Sequence, residues 1–466
     1  MDASSSSVRI TASNPARPLS PNSMDYERCA ALHNELLARA VRGIGREMPP
    51  NPRTWWEVHS PGEEIVDLLE PPLIEFLKRA HDEVGPLHDD KEHFMLSYFL
   101  AGLMPPEDLL EGAAFTYDDS GRFIKLYGSS NFRLGDDEGL LFNQHTMTAT
   151  FIEDYNDTPE VARHEWGWMP LEVILDSYLQ MIDEGKMEAV PNWKAEELGL
   201  SNYSIAPWVI HQYTKTDITR TVSAFQRLVN AIELKIEDST SSMSLPWHDP
   251  VTLSQDFIPN LSFAHDFLSA ISHWKVRFRY IAPGIRFPTI TEFLDQPITE
   301  FNNPSPLGFG HFPGFCPLRI FQTDVEGPAR DHRFYACYDK PAGVYIQPVV
   351  QRWPSFWSNG CRLLLPYGIG SNGWARQSNG QPFGIDNADE RPKPQDESWS
   401  LYQAGFTNGF TNHHFVQLDK VLNNWAERVE NGDWEVGQDG VAGGIEKFKE
   451  ADTEEHWHKY WMPPGW

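Results

Sequence analysis

Ala113-Ala114-Phe115-Thr116-Tyr117-Asp118-Asp119-Ser120-Gly121-Arg122-Phe123-Ile124-Lys125-Leu126-Tyr127 is the stretch at which the chain changes character. Two short runs carrying aromatic and branched residues flank the turn Asp118 to Gly121, a pattern that predicts a β-hairpin. Upstream, the spacing is helical. Ala30, Leu32, Leu36, Leu37 and Ala40 predict a helix within Tyr26 to Arg46, stopped by Pro49, Pro50 and Pro52. From Glu63 to Val84 an apolar stripe resumes at Ile65, Leu68, Leu69, Leu73, Phe76 and Leu77, and Pro71 and Pro72 divide it into two abutting helices. Asp89 to Leu103 adds a further expected helix with Phe94, Leu96, Phe99 and Leu100 inward.

Downstream of the hairpin, Thr146, Thr148 and Thr150 alternate with Met147, Ala149 and Phe151, which predicts a strand over His145 to Phe151 with one polar face. Leu171 to Lys186 and Asp217 to Glu237 return to helical spacing, the second capped by Thr216 or Asp217. Asn260 to His273 and Thr289 to Phe301 are expected helices around an extended Val276 to Ile281. Pro304 to Asn412 is dense in Gly, Pro and aromatics, with short strands expected at Arg319 to Gln322, Phe334 to Tyr338, Gly343 to Gln347 and Cys361 to Pro366. Helices over Val416 to Glu430 and Ile445 to Tyr460 close the chain. The fold class is therefore α+β: a helical N-terminal layer, two mostly antiparallel β regions and C-terminal helices. Residues 1–24, rich in Ser and Pro, are expected to be disordered. Residues 25–237 would form the helical layer with the first β region, and 244–466 the Gly- and aromatic-rich β region, the polar stretch Glu237 to Met243 lying between; a single domain is also compatible with this reading.

Composition narrows the partners. With 466 residues, 40% of them hydrophobic, the chain buries a large core without staples. Acidic residues outnumber basic ones 66 to 38, giving a formal charge of −28 that repels nucleic-acid phosphate and anionic lipid, so neither nucleic acid nor membrane is expected as a partner. The start of the chain has no apolar segment of the signal-peptide or membrane-spanning kind. Cys29, Cys316, Cys337 and Cys361 form no C-x-x-C, which points to a reducing, cytoplasmic setting. Nothing in the sequence bears on oligomeric state.

Motifs for several chemistries are missing. Gly308-Phe309-Gly310 and Gly368-Ile369-Gly370 lack the third glycine of a phosphate-binding turn, and no Gly-x-Ser-x-Gly elbow occurs. The seventeen histidines include no His-x-x-x-His or His-Glu-x-x-His, so neither a metal nor an organic cofactor is expected. Glu435 to Glu446 has the length of a calcium loop, but Gly437 stands where an oxygen ligand is required.

What stands out is the run of aromatic residues in the second β region of a chain with seventeen tryptophans. Tyr335, Tyr345, Trp353, Trp357 and Trp374 are candidate walls for an apolar or aromatic small-molecule substrate, because rings supply contact area at low entropic cost. Gly368, Gly370 and Gly373 beside Arg376 suggest close backbone approach to some partner group. Asp331 and His332 are the candidate acid–base pair, with His145 a further base and Arg376 a group to hold a carboxylate or enolate.

Asn424-Trp425, Gly432-Asp433-Trp434-Glu435-Val436, Asp439-Gly440-Val441-Ala442-Gly443-Gly444 and Glu450-Ala451-Asp452-Thr453 resemble the closing segment of a family of filamentous-fungal proteins without an assigned activity. Tyr280 to Gly284 and Leu365 to Gly373 share the resemblance, which covers about the last two fifths of the chain. It implies a fungal origin and a place in specialised metabolism, and carries over no catalytic residues. Trp55-Trp56 and Thr116 to Gly121 are similar to fungal indole prenyltransferases, but the basic strands that hold diphosphate in that family are missing. The expectation is an enzyme of secondary-metabolite biosynthesis working by isomerase, cyclase or lyase chemistry. A metal-dependent oxygenase and an aromatic-rich binding protein are the alternatives.

Overall fold

The computed structural model describes residues 8–17, 23–83, 94–111, 121–129, 139–152, 161–162, 164, 166–191, 197, 204–205, 207–236, 242–254, 257–258, 260–296, 318–325, 328–329, 340–346, 357–383, 398–404, 409–411 and 415–466. The chain is α+β and divides into two compact units, Met1–His211 with Phe406–His413, and Gln212–Gly405 with His414–Trp466. The division falls at His211/Gln212, ahead of the polar stretch expected to mark it, because the long helix that follows packs with the second unit.

In the first unit, helix α1 (Tyr26–Gly43) buries Cys29, Ala30, Leu32, Leu36, Leu37 and Ala40 on one face, and Asp25 caps it by accepting the Arg28 N–H. Helix α2 (Trp55–His59) was not anticipated, although Thr54 and Glu57 form a complete capping box around its first turn. Helix α3 (Pro71–Leu77) starts at the proline pair, where a missing N–H costs nothing. The segment preceding the hairpin departs from expectation. Leu100–Leu103 is a strand, β1, paired with β2 (Phe123–Ser129), which continues antiparallel through β3 (Gly139–Asn143) and β4 (Thr148–Ile152) to β5 (Met169–Pro170). Helix α4 (Leu171–Asp183) packs on α1. Strands β6 (Met187–Ala189), β7 (Ser204–Ile205) and β8 (Trp208–Ile210) form a small sheet in the order β6-β8-β7. Residues 112–120, the first arm and turn of the expected hairpin, lie outside the described residues.

His145 belongs to the turn between β3 and β4, where the Asn143 side chain accepts the N–H of His145 at 3.0 Å and Met147 takes a positive φ of 57°. Strand β4 starts only at Thr148, and it is buried along its whole length in place of showing a polar face. The expected disorder of residues 1–24 does not extend to Arg9, whose guanidinium pairs with the buried Asp176 at 2.5 Å and with Asp183 at 2.5 Å on α4; residues 1–7 and 18–22 lie outside the described residues.

The second unit is built on a long helix, α5 (Lys215–Glu233), capped by Thr214 and Asp217 in a capping box one turn earlier than Asp217 itself would cap. It packs against α6 (Phe263–Ile271) and α7 (Leu418–Glu430). The sheet combines β9 (Tyr280–Ala282), β10 (Ile285–Arg286), β11 (Leu318–Thr323), β12 (Gly343–Ile346), β13 (Cys361–Ile369), β14 (Ser398–Leu401), β15 (Val436–Gly437) and β16 (Gly440–Val441), in the order β14-β13-β12-β11-β10-β9-β16-β15. All pairs are antiparallel except β9 with β16, joined in parallel at Tyr280 and Gly440. Leu318, Ile320, Val344, Ile346, Cys361, Leu363 and Leu365 send one face of this sheet into the main core with the helices. The expected final helix is instead a 3-10 stretch, Ile445–Asp452, followed by one helical turn, Trp457–Tyr460.

Candidate functional site

Strand alternation fixes what lies on the other face of the sheet. With Leu318 and Ile320 in the core, Arg319 points away from it; the same parity applies to Tyr345 between Val344 and Ile346, and to Arg362 and Leu364 between Cys361, Leu363 and Leu365. Register aligns them. Arg319 is opposite Tyr345, and Tyr345 is opposite Arg362, so two arginines flank one tyrosine along a single cross-strand row. Tyr345 and Leu364 are buried and Trp399 packs against them, forming an apolar cluster separate from the main core.

Each group is held locally. The Gln296 side chain accepts the Arg319 N–H at 2.7 Å and donates to its carbonyl at 3.1 Å, satisfying the backbone where β11 bulges between Arg319 and Phe321. The Arg319 stem crosses Gly343, whose φ is +150°; a Cβ there would lie 2.8 Å from Arg319 Cδ and 2.5 Å from the Phe321 carbonyl, so only glycine fits. Tyr345 donates its hydroxyl to the Pro341 carbonyl at 2.6 Å. Arg362 lays its guanidinium over the Phe415 ring, 4.2 Å from the centroid.

Electrostatically, the half-buried Arg319 contrasts with the buried Arg286 of the same sheet. Arg286 is saturated: Nη1 and Nη2 bind Glu292 at 2.9 and 2.6 Å, and Nε binds Asp324 at 2.6 Å, a network that draws Glu292 down to about 2. Arg319 has no carboxylate within ion-pair distance among the described residues. Its Nη1 reaches the Ala342 carbonyl at 3.4 Å, and burial lowers its affinity for its proton. The same burial raises Tyr345, keeping the phenol protonated.

Of the described residues among those expected from sequence, Tyr345 alone stands on this face. Trp357 is buried with its ring 6.5 Å from that of Trp466. Trp374 and Arg376 belong to the turn after β13, and the group that the backbone of this turn approaches is Asp452. Its carboxylate accepts backbone N–H groups from Gly370 (3.0 Å), Asn372 (2.9 Å), Trp374 (2.8 Å) and Ala375 (2.9 Å). Arg376 donates through Nη1 to Gly373 O at 2.6 Å and Ala375 O at 3.2 Å, with its guanidinium over Trp457, and stands on this turn and not on the second face of the sheet. His145 is exposed in the first unit. Asp331, His332, Tyr335 and Trp353 lie outside the described residues. Arg319 and Arg362 were missed, though a cation between apolar neighbours in Leu318-Arg319-Ile320 and Cys361-Arg362-Leu363 marks a strand whose second face is polar.

Much of the tryptophan content is core: Trp55, Trp208, Trp247, Trp425 and Trp434 are fully buried. Among the described residues, no three His, Cys, Asp or Glu side chains gather in a way that could hold a metal ion. None of the described helices is long and apolar enough to cross a membrane. Comparison with known protein families, with curated proteins and with solved structures returns no match to this chain.

Proposed function

We propose that the chain is an enzyme of fungal specialised metabolism that acts by isomerase, cyclase or lyase chemistry on an apolar or aromatic small molecule held against the second face of the sheet in the C-terminal unit. The observation that carries this reading is the row Arg319, Tyr345, Arg362 beside Leu364 and Trp399: cations next to a protonated phenol and an apolar surface, with the core on the opposite face. Aromatic and aliphatic side chains take up the body of a ligand, while a guanidinium stabilises an oxyanion developing on it. Asp331 and His332 remain the candidate base. The alternative of an aromatic docking surface gains no support, since the large apolar side chains exposed among the described residues are aliphatic or methionine.

Titration with 2-naphthol, a flat aromatic probe, tests the reading through tryptophan fluorescence. Saturable binding is expected, weakened about tenfold in Tyr345→Ala, as loss of a ring contact worth roughly 1.4 kcal/mol requires. Binding indifferent to Tyr345, or none, would remove this face as the site.

A further inference from the structure

The state of the Arg319 guanidinium defines the ligand more closely. Nη1 is turned to the Ala342 carbonyl, and the opposite edge, Nε and Nη2, has no partner among the described residues. That edge carries two parallel N–H donors at the spacing of the two oxygens of a carboxylate. Among the described residues no carboxylate lies within ion-pair distance of that edge, the charge of Glu292 being bound to Arg286, and the row continues to Tyr345, whose hydroxyl is committed to Pro341, and to Arg362. The stem is fixed over Gly343 and the backbone by Gln296, so the fork is presented in one orientation.

We propose that Arg319 is the carboxylate-binding residue of this face and that the small molecule it takes is an aromatic or apolar carboxylic acid. The inference rests on the reading of the face as a small-molecule site. One fork suits a planar monoanion. A phosphate would leave its second charge to be met in surroundings where Tyr345 and Leu364 have already been withdrawn from water. The carboxylate would lie on the open edge of Arg319 with the ligand body toward Trp399, the partly exposed member of this apolar cluster.

Two probes of one shape, 2-naphthoate and the neutral 2-naphthamide, with inorganic phosphate as competitor, test this on the full chain. The unaltered protein is expected to bind naphthoate at least about tenfold more tightly than naphthamide, the ratio a charge-assisted pair of hydrogen bonds supplies. In Arg319→Gln the preference for acid over amide should vanish, with an unchanged circular dichroism spectrum and melting temperature showing that the variant is folded; Arg319→Lys should keep the charge preference in part. Equal binding of acid and amide by the unaltered protein overturns the carboxylate assignment and leaves the small-molecule face standing. Displacement of naphthoate by phosphate at similar concentration overturns it in favour of a phosphorylated ligand. Absence of binding by either naphthalene removes the face itself, and the assignment with it.

Discussion

At the scale of the single residue, His33 shows how burial fixes a protonation state. It lies in the core of the first unit with Nδ1 3.0 Å from the Tyr127 hydroxyl and Nε2 2.8 Å from the His81 carbonyl, so a neutral ring with its proton on Nε2 satisfies both contacts. Burial lowers its pKa to about 4. Because the folded value lies below the unfolded one of about 6.5, the unfolded chain takes up a proton first as pH falls, and stability is lost between those two values. The loss should reach about 3 kcal/mol at pH 4, from a gap of about 2.5 pH units. Urea unfolding at pH 7.5, 5.5 and 4.5, compared between the unaltered chain and His33→Asn, should show the difference narrowing as pH falls. A constant difference would mean that His33 does not titrate in this range. Arg319 and Arg286 contrast as cations, since the half-buried and the buried guanidinium of one sheet differ in whether the described residues supply their anion.

Between elements, the buried Asp452 carboxylate joins the end of the 3-10 stretch to the turn that leaves β13. Replacing it with Ala would orphan backbone donors at Gly370, Asn372, Trp374 and Ala375; at roughly 1–3 kcal/mol for each unsatisfied group, with partial relaxation, a loss of about 3 kcal/mol or more is expected. Asp452→Asn, keeping one acceptor oxygen, should recover part of it, and thermal unfolding of the two variants checks the order. This contact also shows what sequence could reveal. The glycines at 370 and 373 announced a close backbone approach; Gly370 makes one, its N–H reaching Asp452, whereas a Cβ on Gly373 would meet nothing within 4 Å, and the Asp452 partner lies some eighty residues away where no local pattern names it. Helices α1, α5 and α7 were legible because one apolar stripe and a stop signal define each. The strand at Leu100–Leu103 was not: a four-residue apolar run fits either period, and pairing with β2 decides it. The row on the second sheet face was half legible, with Tyr345 visible as an aromatic. The arginines beside it acquire meaning only from the register that sets 319, 345 and 362 in line.

For the whole molecule, the chain path matters more than the order of elements. The first unit takes in Phe406–His413 from within the sequence of the second, so neither unit is continuous. This short excursion carries bonds of consequence: Gly409 O accepts the Phe151 N–H at 3.0 Å on β4, and Phe410 O accepts the Tyr178 hydroxyl at 2.6 Å on α4. Gly409 lies so close to its neighbours that a Cβ would stand 2.8 Å from the Gly167 carbonyl and 2.8 Å from the Met169 sulfur. Gly409→Val should therefore destabilise the first unit by about 1–3 kcal/mol, the usual cost of overpacking a tight site. Separate cores permit separate melting, so calorimetry of the variant should show one transition lowered and a second one little changed. Naphthoate binding reports on the second unit alone: where it follows the unshifted transition, the two units unfold independently, and where both transitions fall together with binding, they are one cooperative structure despite their separate cores.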